Sequence, residues 1–386
     1  MVRVLAVAVI SAVTATGAVA QTEPAGPRAT IVEELRLDAS AEDFPRVGQL
    51  YVGPRGHIVV PIQMDQQLRI YDSTGKKVAM VGRPGGGPGE FGHLSMLGWT
   101  SDSIWVTDID QRRTTYFAPN YKLLRTQIWP PREMREGPRS SFDPLVRLSD
   151  GSWLGQGITW ASSGNGYASH ILVQSASGAM RTLLSTSTEN DPRMMWVAGF
   201  GRSVPFSLQP QYAFARDGGR VGELKAPIPE RQASHYTVTV IDATGDTAFA
   251  RAYPFRGEPI PRRVADSVLA AMIPTSGHAV EGPADLPLRF QAMAKERMSS
   301  WFIPVETITL GLDRTVWISM RLSDEGRAYL VLDREGDPVG SVVVPSTSRI
   351  RQASASRIWV TETDQDGLTS VVRYRVQGLS CNPAKC

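Results

Sequence analysis

The sequence predicts an all-β fold, a six-bladed β-propeller closed by an N-terminal strand, on three observations. A tight polar turn followed at once by a β-rich apolar run recurs six times. An apolar strand ending in a polar turn follows most of those runs. One strand near the N-terminus precedes the first repeat and has no partner of its own. Units of this kind cannot bury their apolar faces alone and must stack on one another.

In chain order the first signal reads "GPRGHIVV" (53–60), "TSDSIWV" (100–106), "LSDGSWL" (148–154), "ARDGGRV" (215–221), "GLDRTVW" (311–317) and "SASRIWV" (354–360). Asp, Ser and Gly supply the turn, and Ile, Val and Trp suit the pleated surface that follows. The second signal reads "LRIYDSTG" (68–75), "TTYFAPNY" (114–121), "ILVQSASG" (171–178), "VTVIDATG" (238–245) and "YLVLDREG" ending at Gly336. The sixth unit has only "SVVRYRV" (370–376) before the chain runs out. The lone strand "TIVEELRL" (30–37) therefore supplies the missing outer edge of the last unit, which closes the ring. The propeller is expected over 29–378.

Between the first and second units lies "VGRPGGGPGEFGH" (81–93). A phosphate cradle would need a helix N-terminus after the glycines, or Lys-Ser/Thr at the end of a P-loop. Here Pro84 and Pro88 remove amide donors, and "LSMLGW" (94–99) reads as another strand. The segment is read as a link between blades. Gly86, Gly87, Pro88, Gly89, Glu90 and Phe91, together with Val106, Asp108 and Arg113, make 47–125 resemble the NHL-repeat propellers of exported bacterial-type proteins. That family carries "G-x-G-P-G-E-F" between blades and "V-x-D-x-x-N-x-R" after the second strand, and Gln111 stands where it prefers Asn. The resemblance implies a propeller fold and leaves the activity open, because one such scaffold hosts unrelated functions.

The bulk properties exclude several classes. Of 386 residues the formal net charge is +3, and the basic residues are dispersed, with no run of the kind that tracks nucleic acid. Residues 1–20 carry Arg3, an apolar run from Leu5 to Val13, and "AVA" before Gln21, the pattern of a secretory signal peptide. The expectation is a monomer exported to the periplasm or beyond, with no membrane span. Cys381 and Cys386 lie in a C-terminal tail, 379–386, where an oxidising compartment would join them.

No G-x-S-x-G, H-E-x-x-H or zinc-spaced cysteine pair is present. The candidate site is positional, since loops joining second and third strands share a face with the links between blades. Acids gather there: Asp65, then Asp108 and Asp110, then Asp324 and Glu325, then Glu362, Asp364 and Asp366. Such oxygens could hold calcium, although no cofactor is predicted outright. The alternative is solvated turn acids pairing with Arg112, Arg113, Arg321 or Arg327. His93 heads an inner strand, while His170, His235 and His278 sit farther from the axis or in an insertion. Trp160 and Tyr167, in "ITWASSGNGYA", either stack on a ligand or fold back as an apolar plug.

Residues 258–300 abandon β character. "PIPRRVADSVLAAMI" places Val264, Val268, Leu269 and Met272 on one stripe, and "LPLRFQAMAKERMSSWF" offers Leu288, Met293 and Met298. Both read as amphipathic helices in a hairpin, either lying over the upper face or bound to one blade's flank. The function expected is recognition of a small molecule, glycan or protein by that face. The competing class is a metal-assisted lyase or lactonase.

Overall fold

The computed structural model describes residues 26–42, 44, 47–100, 103–129, 140–216, 218–273, 283–323, 326–381 and 386. The proposed signal peptide falls outside them. The chain folds as an all-β propeller of successive antiparallel sheets. The first sheet orders Tyr51–Val52, Ile58–Ile62, Gln67–Tyr71 and Lys77–Val81. The second orders Leu94–Thr100, Ser103–Asp108, Arg113–Phe117 and Leu123–Ile128. The third runs Ser140–Arg147, Trp153–Trp160, Tyr167–Gln174 and Met180–Ser187, and the fourth Gln211–Phe214, Arg220–Lys225, Ala233–Asp242 and Thr247–Arg256.

The last sheet differs from the expectation of separate blades. It is eight-stranded, in the order Val305–Leu310, Val316–Ser323, Gly326–Leu332, Pro338–Val344, Arg28–Leu37, Thr369–Gln377, Arg357–Thr363, Ser348–Ala353. The N-terminal strand causes the fusion. It runs antiparallel to Thr369–Gln377 from Thr30–Gln377 to Leu37–Val371, and its first residues also pair parallel, Arg28 with Ser341 and Ala29 with Val342. A strand supplied from the other end of the chain thus forms the outer edge of the last four strands. Glu34 on it is gripped by Arg357 Nε at 2.8 Å and Arg373 Nε at 3.2 Å, with Arg375 Nε at 3.7 Å. Those charges, led by the Arg357 hydrogen bond, hold the Glu34 carboxyl below its ordinary value.

Apolar layers lie between consecutive sheets, which is how a ring of sheets buries itself. Tyr51, Ile70, Phe91, Leu97 and Phe117 join the first sheet to the second. Trp105, Val146, Trp153 and Val221 continue the layer toward the fourth. Leu37, Val52, Ile58, Trp359 and Val371 join the last strands back to the first sheet. Tyr51 also lies beneath Arg216 of the fourth sheet, whose guanidinium carbon is 4.2 Å from the ring centroid.

The recurrent turns hold for a local reason. Asp72 Oδ1 accepts the Thr74 and Lys76 amides, and Asp333 Oδ1 accepts those of Glu335 and Asp337. Gly75 and Gly336 complete the two turns at φ 89° and 85°, a region glycine enters without a Cβ penalty. The inner strands bulge, and a hydroxyl two residues after a buried Trp takes an amide at the bulge. Thr107 Oγ1 accepts Met96 N at 2.9 Å, and Ser319 Oγ accepts Thr307 N at 3.0 Å.

Antiparallel order puts the loop between the second and third strands at the same end as the links, here termed the upper face. Two links carry additions there. The hairpin Met194–Val197 with Phe200–Ser203, which the repeat pattern did not announce, precedes the fourth sheet. Helices α1 (Ala39–Glu42), α2 (Arg262–Ala271) and α3 (Leu286–Arg297) are the α-helices among the described residues, and α2 and α3 precede the fifth group of strands. Helix α3 buries Leu286, Phe290 and Ala294 against Met195, Val197 and Val204 of the hairpin link. Arg297 Nη1 donates to Met194 O at 3.2 Å, and Gln291 Nε2 to Leu269 O of α2 at 2.9 Å. The helices therefore sit on an upper-face link. Of the apolar residues expected on this segment, Met293 and Met298 pack against the same cluster, while Leu288 is 57 % exposed because the i, i+4, i+8 line through Leu286 faces the hairpin.

Candidate functional site

The glycine-rich link is held from inside by residues of the second sheet. Asp108 is fully buried, and its carboxylate accepts the amides of Gly92 at 2.8 Å, His93 at 3.1 Å and Gln111 at 3.1 Å. Arg113 donates to the carbonyls of Gly86 and Gly87 at 2.9 Å and of Glu90 at 2.6 Å. Glu90 Oε2 accepts Gly87 N at 2.7 Å and its Oε1 takes Arg83, and these contacts keep its carboxyl below the usual range. The segment is a cross-braced strap, and Asp108 and Arg113 are occupied in bracing it. Arg112, at φ 48°, lays its guanidinium 5.8 Å from the Trp129 ring centroid.

The other acids do not converge. His93 and Asp110 are exposed neighbours, with Nδ1 and Oδ2 4.0 Å apart. Asp364 accepts the amides of Asp366 and Leu368 in a turn of the last strands, and Asp366 is exposed. Asp324 lies outside the described residues, as do Glu325 and His278. His170 bonds within the third sheet, to Thr159 and Ser185. Among the described residues no three His, Cys, Asp or Glu side chains gather as a metal site would require. Cys381 and Cys386 are joined by a disulfide, with Cα atoms 6.0 Å apart.

Trp160 and Tyr167 meet edge to face, centroids 5.5 Å apart, and Tyr167 meets Trp196 of the added hairpin at 6.1 Å. The loop between the first two is tied down: Ser163 Oγ donates to Glu189, and Asn165 accepts the Gly199 amide at 3.0 Å. All three rings are half-buried, and burial raises the Tyr167 phenol above its ordinary value. The rings pack on each other and still reach the surface.

A second aromatic group stands at the base of the added segments, and sequence reasoning passed over it. Phe206, just after the hairpin, meets Phe302, just after α3, edge to face at 5.3 Å. Arg321, at the upper end of Val316–Ser323, places its guanidinium carbon 3.6 Å from the Phe302 centroid. Phe206 is held at φ 61°, a left-handed conformation that costs a bulky residue about 1–2 kcal/mol. Burial lowers the Arg321 pKa, although an arginine so placed stays charged at neutral pH. The available signal was a cation in an upper loop read only as a partner for acids; the phenylalanines, far away in sequence, gave none.

No family model matches the chain, and no curated protein matches it. Among solved structures, the chain is similar to a member of the DUF4221 family from Bacteroides vulgatus, 11% identical, over 90% of this chain and 98% of that one, at a TM-score of 0.47. It is also similar to virginiamycin B lyase from Staphylococcus aureus, at 11% identity, 90% and 99% coverage and a TM-score of 0.40. Regucalcin, a calcium-binding protein from Agrobacterium tumefaciens, matches at 14% identity, 92% and 97% coverage and a TM-score of 0.40. Likeness at this level carries no argument about activity, and the propeller assignment rests on the strand order itself. No helix among the described residues is long and apolar enough to cross a membrane.

Proposed function

We propose that the protein is an exported, six-bladed, NHL-like propeller that recognises a ligand on its upper face. In this reading the eight-stranded sheet is two blades joined by the N-terminal strand. The ligand class is a small molecule, glycan or protein, bound by a monomer without catalysis. One observation carries the reading. The long links on either side of the fourth sheet build a common apolar cap on one face, while turns such as 72–76 and 333–337 on the other are tight. Loops that carry function are placed in this way on rigid scaffolds. Half-buried aromatics, Trp160, Tyr167 and Trp196 on one side and Phe206 and Phe302 on the other, border that cap.

The test trims the cap. Residues 194–204 and 259–300 are both replaced by short Gly/Ser linkers, so that neither leaves the other's apolar face exposed. Compounds that raise the melting temperature of the parent are found in a thermal-shift screen and then offered to the trimmed protein. The expected result is a retained β spectrum with loss of those ligands. Unchanged affinities would remove the cap from recognition. A stoichiometric metal in the purified protein would favour the lyase or lactonase reading instead.

A further inference from the structure

Three arginines lie at the upper ends of the strands that follow the cap, Arg321 beside Phe302, and Arg327 with Arg349 as a separate pair. Arg321 receives contact from Phe302 on one face of its guanidinium, and its amide donates to Pro304 O at 2.7 Å. Its side chain makes no hydrogen bond and no ion pair among the described residues; Glu258 acts on it only through its field. Arg327 is 5 % exposed, pairs with Glu306 and donates to Met320 O at 3.2 Å, and its buried Nε has no partner among the described residues. Arg349 gives Nη1 to the Ser346 and Ser348 carbonyls, and its charge reaches Arg327. Glu258 faces Arg321, and Glu306 pairs with Arg327.

A guanidinium carries its N–H donors in its plane. A ring stacked on its face therefore removes water without satisfying a single donor. A cation partly withdrawn from water in this way is costly unless an anion meets it, and its planar fork suits an oxyanion in bidentate geometry. Phe206, held in its left-handed backbone conformation, sets an aromatic edge beside the same ring. Strain of this kind persists where the surroundings fix it, and it clusters at ligand sites.

The geometry points to an oxyanion site at Arg321, where the carboxylate or phosphate of a ligand meets the guanidinium while a flat apolar part lies against Phe206 and Phe302. This rests on the reading of the upper face as a recognition surface. Glu258 limits the charge that the site tolerates, which suits a single anionic group.

The probes are benzoate, inorganic phosphate and neutral benzamide, titrated into the full-length protein at constant ionic strength with chloride as the balancing salt. Tryptophan fluorescence and melting temperature report binding. Saturable binding of benzoate assigns a carboxylate, saturable binding of phosphate alone assigns a phosphate group, and benzamide binds at least tenfold more weakly than the favoured anion. Arg321→Gln weakens that anion at least tenfold, Arg321→Lys restores part of the loss, and Arg334→Gln, in the exposed 333–337 turn on the opposite face, binds like the parent. Saturation by neither anion, or parent-like binding in Arg321→Gln, overturns the inference. If the trimmed protein loses a neutral ligand that Arg321→Gln keeps, recognition by the upper face stands and the oxyanion site falls.

Discussion

Arg113 and Arg321 stand at the same end of their sheets, and the two are used in opposite ways. Arg113 is buried with three carbonyls of the glycine-rich strap around it. Arg321 has an aromatic ring on one face and, among the described residues, no acceptor. A third group, Arg357, Arg373 and Arg375, shares the Glu34 carboxylate at the seam. The first and third arrangements make the fold, and the second leaves binding capacity over. The lesson is that an upper-loop arginine is informative through its acceptors, not its position.

Removing the seam strand altogether has the largest expected effect. Deleting 21–40 takes away the edge of the last strands, strands three arginines without their carboxylate, and uncovers apolar surface that Ala29 and Leu37 bury. The loss is on the order of 5 kcal/mol, since each large apolar side chain contributes roughly 1.5–3 kcal/mol when buried. A truncated protein that melts like the parent would refute closure by this strand.

Arg113→Met comes next, at about 3 kcal/mol, because three carbonyls of a compact strap lose a charged donor. Chemical denaturation measures it. A loss under about 0.5 kcal/mol would mean that surface water replaces the guanidinium and that the strap does not depend on it.

The seam predicts a smaller, pH-dependent effect. The Glu34 carboxyl is depressed in the folded protein relative to its ordinary 4.5. Its contribution is therefore complete above that value and is lost as pH falls through the depressed one. Glu34→Gln should cost about 1 kcal/mol near neutrality, the scale of a partly exposed ion pair. Parent and variant should converge as the pH falls through the depressed value. A gap that persists unchanged would show that packing, not charge, is what the substitution disturbs.

Much of this contrast was legible in the sequence. The turn-then-strand signals lie within a few residues of each other, so local turn chemistry and period-2 patterning disclose them, and the orphan strand at 30–37 follows from counting strands per unit. Asp108 and Arg113 were visible as a motif, but their employment was not, because a carboxylate facing three amides looks in sequence like a carboxylate facing solvent. The Phe206–Phe302–Arg321 group was illegible for another reason. Its members come from three segments that the packing of the fourth sheet on the strands after it, and of α3 on the hairpin, bring together. Leu288 was misread because the burial of α3 is set by that hairpin, and nothing in 286–297 alone says which side it will meet.

The comparison is tested most directly by melting Arg113→Met and Arg321→Met side by side, first in chloride and then in phosphate or benzoate at equal ionic strength. The account predicts that Arg113→Met melts well below the parent in every buffer and keeps the rise that the favoured anion produces. It predicts that Arg321→Met melts within about 0.5 kcal/mol of the parent in chloride, as expected of a cation without a structural partner, and shows no rise with the anion. An Arg321→Met protein destabilised as much as Arg113→Met, or one that still responds to the anion, would contradict it.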